Sequence, residues 1–327
     1  MSDARPLLEV EDLHVHLRSR DGTRDLHIVD GVSFTLDRGE TLGIVGESGC
    51  GKSTMALALM GLLPRGGRTV SAQLDFDGID LEALDEEELR KIRGSRIAMI
   101  MQDPMVAMDP LFTIGNQLAE GLRTHKGLEG EALEARQLEL LELVGIPAAK
   151  TRLGQYPHQM SGGMLQRMVG AIAMSCDPQL LIADEPTTAL DPTAQAQFLD
   201  VLADLQEQRN LAMIVVTHDF GVTARLADRV LVMYAGLVAE QGPIRAIFDD
   251  PRHPYTQALL AAVPREGGST HRLQTIEGSP PDVAARPQGC PFAPRCPKVL
   301  PLCREETPPP IEAGPGHYSR CWRTDEA

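Results

Sequence analysis

Apolar residues recur along this chain in two rhythms. Near the start they partly alternate with polar ones, over Leu8–Leu17 and Val29–Leu36, with Asp21-Gly22 between the runs. That pattern predicts two strands joined by a turn. Thr41–Val45 is a short unbroken apolar run that leads into a glycine-rich stretch. Ser53–Leu63 is then predicted as an apolar helix, ended by Pro64 and Gly66-Gly67. Strand, glycine loop and helix begin a βαβ unit. Asp80–Arg93 is charge-dense, and its Asp85-Glu86-Glu87-Glu88 run suits the positive end of a solvated helix. Thr113–Gly145 is predicted helical, with Leu138, Leu141 and Val144 on one face. Phe198, Val201, Leu202 and Leu205 fit the spacing of a second amphipathic helix. Leu180–Ala183, Leu211–Val216 and Arg229–Tyr234 are predicted as buried strands. Strands alternating with helices imply an α/β fold with a mainly parallel core sheet. The helical stretch between Gln102 and Gly163 is expected as an insertion into that sheet domain, and no internal repeat is present.

Composition narrows the partners. The chain has 327 residues, 43% of them apolar, which is enough for an ordinary core. Its net charge of −15 argues against nucleic acid as the main partner. No apolar stretch approaches the ~20 residues that a bilayer-spanning helix needs. Met1 to Glu11 carries Asp3, Arg5, Glu9 and Glu11, so no signal core is expected there, and the protein is expected in the cytoplasm.

The strongest chemistry lies at Gly46-Glu47-Ser48-Gly49-Cys50-Gly51-Lys52-Ser53, which fits G-x-x-x-x-G-K-[ST] between a strand and a helix. Gly46, Ser48, Gly49 and Gly51 let the backbone wrap a phosphate with its N–H groups pointing inward. Lys52 supplies a full positive charge to the β- and γ-phosphates. The Ser53 hydroxyl can ligate Mg²⁺, and Thr54 can reach a phosphate oxygen. Asp184 and Glu185 end a buried strand, where ligands bind in such sheets. Two carboxylates beside a triphosphate need a cation. Asp184 is therefore expected to hold Mg²⁺ through water, and Glu185 to polarise the attacking water.

Further motifs resemble the nucleotide-binding subunit of ATP-binding cassette (ABC) transporters. Met160-Ser161-Gly162-Gly163-Met164 resembles that family's signature loop, and Gln102 in Met101-Gln102-Asp103-Pro104 its glutamine loop. Ala189-Leu190-Asp191 resembles the D-loop, and Thr217-His218-Asp219 the histidine switch. The resemblance implies a P-loop ATPase with an N-terminal antiparallel β subdomain and a helical insertion at about 103–165. Two such subunits would pair head to tail. Ser161, Gly162 and Gly163 of one would close over the other's ATP, with Asp191 coupling the sites. His218 would contact the γ-phosphate. Gln102 would meet Mg²⁺ and report nucleotide state to a membrane partner. In one respect the chain departs from the family: Leu17, beside His16, stands where an aromatic ring often stacks on adenine.

The C-terminal tail follows another logic. Between Pro264 and Ala327 lie 12 of the 24 prolines and four of the six cysteines. Cys290, Cys296, Cys303 and Cys321 suggest a metal in a cytosolic tail, with zinc or an iron–sulfur cluster both open on spacing alone. Such a staple would explain how a tail with little core folds. No thiol lies near the nucleotide motifs in sequence, so a structural role is expected for it. His253-Pro254-Tyr255-Thr256-Gln257-Ala258-Leu259-Leu260, Cys290-Pro291-Phe292 and Arg295-Cys296-Pro297 resemble the dipeptide and oligopeptide importer ATPases. That resemblance implies a [4Fe–4S] cluster on the four cysteines, with zinc as the alternative. It divides the chain into a nucleotide-binding domain over 1–250 and an extension over 251–327. It also implies two transmembrane permease subunits, a second homologous ATPase in a heterodimer and an extracytoplasmic substrate-binding protein. The protein would lie peripherally on the cytoplasmic face of the inner membrane. Nickel or another small solute is the alternative cargo, and a soluble non-transport ABC ATPase the alternative role.

Overall fold

The computed structural model describes residues 5–19, 21–188, 190–263 and 275–326. In chain order its elements are β1 (Leu8–Arg18), β2 (Asp25–Leu36), β3 (Thr41–Val45), α1 (Lys52–Leu59), β4 (Arg68–Val70), β5 (Gln73–Phe76), β6 (Ile79–Asp80), α2 (Glu86–Ile92) and β7 (Ile97–Ile100). Then come α3 (Pro104–Ala107), α4 (Ile114–Lys126), α5 (Gly130–Leu143), α6 (Ala149–Leu153), α7 (Gly162–Ala173), β8 (Leu180–Asp184), α8 (Pro192–Arg209) and β9 (Ala212–Thr217). The chain closes with α9 (Phe220–Leu226), β10 (Arg229–Tyr234), β11 (Leu237–Pro243), α10 (Ile244–Asp249), α11 (Pro254–Ala261), β12 (Ile311–Gly314) and β13 (His317–Ser319). Among the described residues, no helix is long and apolar enough to cross a membrane.

The elements gather into two units. The first takes Met1–Leu7, Leu36–Thr41 and Asp80–Val216; the second takes Leu8–Thr35, Leu42–Ile79 and Thr217–Ala327. In the first, β7, β8 and β9 run parallel, and β8 is buried along its whole length. Strands buried on both faces need continuous apolar sequence, which Leu180-Leu181-Ile182-Ala183 provides. The insertion supplies α3 to α7. The stretch expected to be helical over 113–145 forms two helices. Gly127, at φ +64°, caps α4 through bonds from its N–H to the Arg123 and Leu122 carbonyls. A left-handed cap ends a helix even where the apolar period continues beyond it.

In the second unit, β1 anchors an antiparallel sheet of order β2-β1-β5-β6, with β4 also on β1. Beside it, β3 and β10 pair in parallel, and β11 joins β10 antiparallel. The expected helix Ser53–Leu63 ends at Leu59, earlier than Pro64 would require. Gly61 sits at φ +61°, and the bonds Leu62 N–H to Leu57 O and Gly61 N–H to Ala58 O close a Schellman turn.

The tail is better anchored than its proline content suggests. β13 pairs with β11, and β12 with β13. Phe292 and Tyr255 are fully buried with Val45, Tyr234, Cys290 and Cys303 in one apolar cluster. Strand pairing and apolar packing therefore fasten the extension, where its sequence implied a metal staple. Glu240, 1% exposed, accepts from the Arg252 and His253 backbone N–H groups and pairs with His317 Nε2 at 2.7 Å.

His253 caps α11: its Nδ1 accepts the Tyr255 N–H at 3.0 Å, which requires an unprotonated ring nitrogen. Burial pushes its pKa down to about 4, partly opposed by the Glu240 charge and a bond to the Arg320 carbonyl. The folded ring then stays neutral, with its one proton on Nε2, while the unfolded chain gains a second proton below about pH 6.5. The contribution of His253 is complete above that pH and is lost as pH falls toward 4, by about 1.4 kcal/mol per unit. Urea melts of wild type and His253→Asn at pH 7 and pH 5 should show the smaller acid loss in the variant. Equal losses would refute the assignment.

Candidate active site

The phosphate loop is built by backbone geometry. Gly51 precedes α1 with φ +107°, a conformation that side chains rarely adopt. A Cβ on Gly46 would lie 2.2 Å from the Met233 carbonyl oxygen, so only glycine fits against β10. Lys52 opens α1, is 4% exposed, and donates from Nζ to the carbonyls of Gly46 (2.8 Å) and Glu47 (3.0 Å). Ser53 and Thr54 follow on the first turn, half-buried, while Ser48 and Gly49 are exposed on the loop. The Cys50 thiol is buried, and burial raises its pKa.

Sequence reasoning missed what holds this loop from outside. The Glu47 carboxylate is gripped by Arg295, with Nη1 at 2.6 Å and Nη2 at 3.0 Å. Arg295 also donates to the Tyr234 hydroxyl at 3.1 Å, and its bond with Glu47 raises its pKa further. The Glu47 N–H donates to the Tyr255 hydroxyl at 2.8 Å. Arg295 immediately precedes Cys296. The cysteine extension thus reaches the nucleotide loop, contrary to the separation read from sequence distance. The tyrosine in His253-Pro254-Tyr255 and the arginine in Arg295-Cys296 were visible signals, but neither names its partner.

In the other unit, Asp184 ends β8 and is 5% exposed. Glu185 follows at φ +45°, a strained position for a non-glycine residue. Its N–H is fixed by the Val216 carbonyl at 2.8 Å. Its Oε2 accepts from Gln102 Nε2 at 2.9 Å and from Thr188 Oγ1 at 2.9 Å. The structure therefore brings together Gln102 and Glu185, which sequence reasoning selected separately.

Ser161 caps α7, its Oγ accepting the Met164 N–H at 3.3 Å, so Gly162 and Gly163 form the helix's first turn. Asp191 caps α8 through the Thr193 and Ala194 N–H groups, each at 3.0 Å. Ser161, Gly162, Gly163 and Asp191 line one cleft, so the signature and D-loop residues are neighbours within this unit. Ala189 of the D-loop lies outside the described residues. His218 is exposed just beyond β9. Leu17 packs toward Gly67, and the neighbouring His16 ring stacks on His27, so neither projects as a bare aromatic platform.

Relatives place this site in a known setting. The family model described as ABC transporter matches residues 29–188, and that of the oligopeptide/dipeptide transporter C-terminal region matches residues 239–303. The dipeptide transport ATP-binding protein DppD of Bacillus subtilis (strain 168) is 47% identical over 321 residues, covering 98% of this chain and 95% of the relative. DppD of Escherichia coli (strain K12) is 45% identical over 315 residues, covering 96% of each. Among solved structures, the dimeric post-hydrolysis state of the ATP-binding cassette MJ0796 bound to ADP and Pi matches with TM-score 0.63 and 28% identity. That match covers 73% of this chain and 99% of the other. The chain belongs to the ATP-hydrolysing subunits of ABC transporters, in the branch that carries the oligopeptide/dipeptide transporter C-terminal region.

Proposed function

We propose that this chain hydrolyses ATP to energise peptide import through the cytoplasmic membrane. The observation that carries this reading is the importer-type C-terminal region on a chain whose whole length resembles dipeptide transport ATPases. Residues 1–250 act as the nucleotide-binding domain and 251–327 as the extension. The subunit works on the cytoplasmic face, with two permeases, a second homologous ATPase and an extracytoplasmic binding protein. An exposed apolar patch at the start of the insertion supports a membrane partner. It comprises Met105, Val106, Leu111 and Phe112, with Val106 76% and Leu111 80% exposed. Purification in mild detergent should bring down membrane-spanning chains. Recovery of nucleic acid with no membrane partner would overturn the reading.

The residues divide the chemistry. Gly46, Ser48, Gly49 and Gly51 cradle phosphates with backbone N–H groups, and Lys52 and Thr54 neutralise and orient them. Ser53, Gln102 and Asp184 would hold Mg²⁺, which when bound shields the charge of the phosphates. Glu185 takes the proton of the attacking water, and Gln102 and Thr188 orient its carboxylate. His218 donates to the γ-phosphate. Ser161, Gly162 and Gly163 serve the partner subunit's nucleotide, and Asp191 couples the two sites.

The four tail cysteines fit a [4Fe–4S] cluster. Each sulfur is met by a backbone N–H: Phe292 for Cys290, Lys298 for Cys296, Leu300 for Cys303 and Arg323 for Cys321. Such donors stabilise thiolates bound to iron. Burial raises the Cys290 thiol to about 11, and the neighbouring cysteines add to the rise. Four thiolates there need a cation. Four ligands of one soft type suit an iron–sulfur cluster, with zinc as the alternative. Anaerobically purified protein should be brown, contain iron and inorganic sulfide, and lose both in Cys303→Ser. Colourless protein carrying zinc would refute the cluster.

A further inference from the structure

Away from the ATP machinery, β1 and β2 bring three ligand atoms together. His14 Nδ1 lies 3.1 Å from His27 Nε2 and 3.2 Å from Asp30 Oδ1. His27 Nε2 lies 3.5 Å from the same Asp30 oxygen. The three atoms form a nearly equilateral triangle. A tetrahedral zinc with ligand bonds of about 2.0–2.1 Å has edges of about 3.3–3.4 Å. The triangle therefore matches one face of that tetrahedron, with the fourth vertex left for water.

Each ligand is also held from behind. His14 Nε2 pairs with Asp12 Oδ1 at 3.1 Å, the carboxylate–histidine contact that turns the opposite nitrogen's lone pair toward a metal. Arg286 binds Asp30 Oδ2 at 2.8 Å, leaving Oδ1 to the triangle, and donates to the His27 carbonyl at 2.6 Å. The His16 ring lies parallel on His27 at 4.3 Å, and its Nδ1 is turned to Asp25. The three side chains are only half-buried, so an ion can reach them. A single shared proton satisfies one edge of the triangle, whereas an ion satisfies all three corners.

We propose that His14, His27 and Asp30 hold a divalent transition-metal ion of the zinc class. Two imidazoles and a carboxylate are the donor set such an ion takes. Arg286 comes from the C-terminal extension, so the ion would also tie that segment to β2. This site is separate from the cysteines and independent of what they bind.

Cobalt(II) reports on it directly, because its spectrum separates nitrogen–oxygen from sulfur ligands. Titrated into the full chain, Co²⁺ should give tetrahedral d–d bands with no thiolate charge transfer for one equivalent, and Zn²⁺ should displace it. His14→Gln and His27→Gln should each weaken that class at least 100-fold, with any thiolate class unchanged. Asp12→Asn, at an exposed position, should weaken it on the order of 10–100-fold. Wild-type protein lacking the nitrogen–oxygen bands would overturn the site. So would bands that persist unchanged in Asp12→Asn and in either histidine variant.

Discussion

Glu185→Gln should leave ATP binding intact and slow hydrolysis by on the order of 10²–10⁴-fold, the range that a positioned general base contributes. The substitution keeps the side chain's shape. Its amide oxygen can still accept from Gln102 and Thr188, as the carboxylate does at 2.9 Å from each. What it loses is basicity, so the cost falls on proton transfer and not on nucleotide affinity. The backbone supports this assignment. Glu185 sits at φ +45°, pinned by the Val216 carbonyl, and a strained residue pinned in this way holds its side chain in place. Equilibrium binding of a fluorescent ATP analogue and single-turnover hydrolysis separate the two effects. A kcat within a factor of a few of wild type would remove Glu185 as the base. Weakened binding with unchanged turnover would make it a binding residue instead.

The ATP motifs were legible because their chemistry is local. A phosphate cradle needs its glycines, lysine and serine within one turn, so Gly46 to Ser53 carries its own geometry. Strands such as Thr41–Val45 were legible for a similar reason, since burial on both faces demands an unbroken apolar run. Helix ends were less so. Gly61 and Gly127 terminate helices by adopting left-handed conformations, and apolar period alone does not signal that choice. Contacts distant along the chain were not legible at all. Arg295 meets Glu47 across 248 positions, and nothing in either residue's neighbourhood names the other. The same blindness made the cysteine tail look remote from the nucleotide loop. His14 and His27 are likewise brought together by strand pairing, which depends on register rather than on spacing.

Arg295→Met should destabilise the protein by about 3 kcal/mol and weaken ATP binding by on the order of 10–100-fold. The Arg295 side chain is 5% exposed, and the Glu47 side chain 24%. Removing the guanidinium leaves a carboxylate poorly solvated and unpaired, which costs more than the pair contributes while intact. The effect on ATP follows from where Glu47 sits. Its carbonyl accepts from Lys52 Nζ, and its N–H is held by Tyr255, so a displaced Glu47 disturbs the lysine proposed to meet the phosphates. The double variant Glu47→Gln with Arg295→Met discriminates between causes. It carries no stranded charge, so it should recover most of the lost stability. It still lacks the bidentate grip, so ATP binding should remain weak. If both properties recovered together, the clamp would matter only for its charge. If neither recovered, the loss would lie in the packing of Arg295 over Tyr234 and Phe292, where its guanidinium carbon stands 5.8 and 6.0 Å from the ring centres.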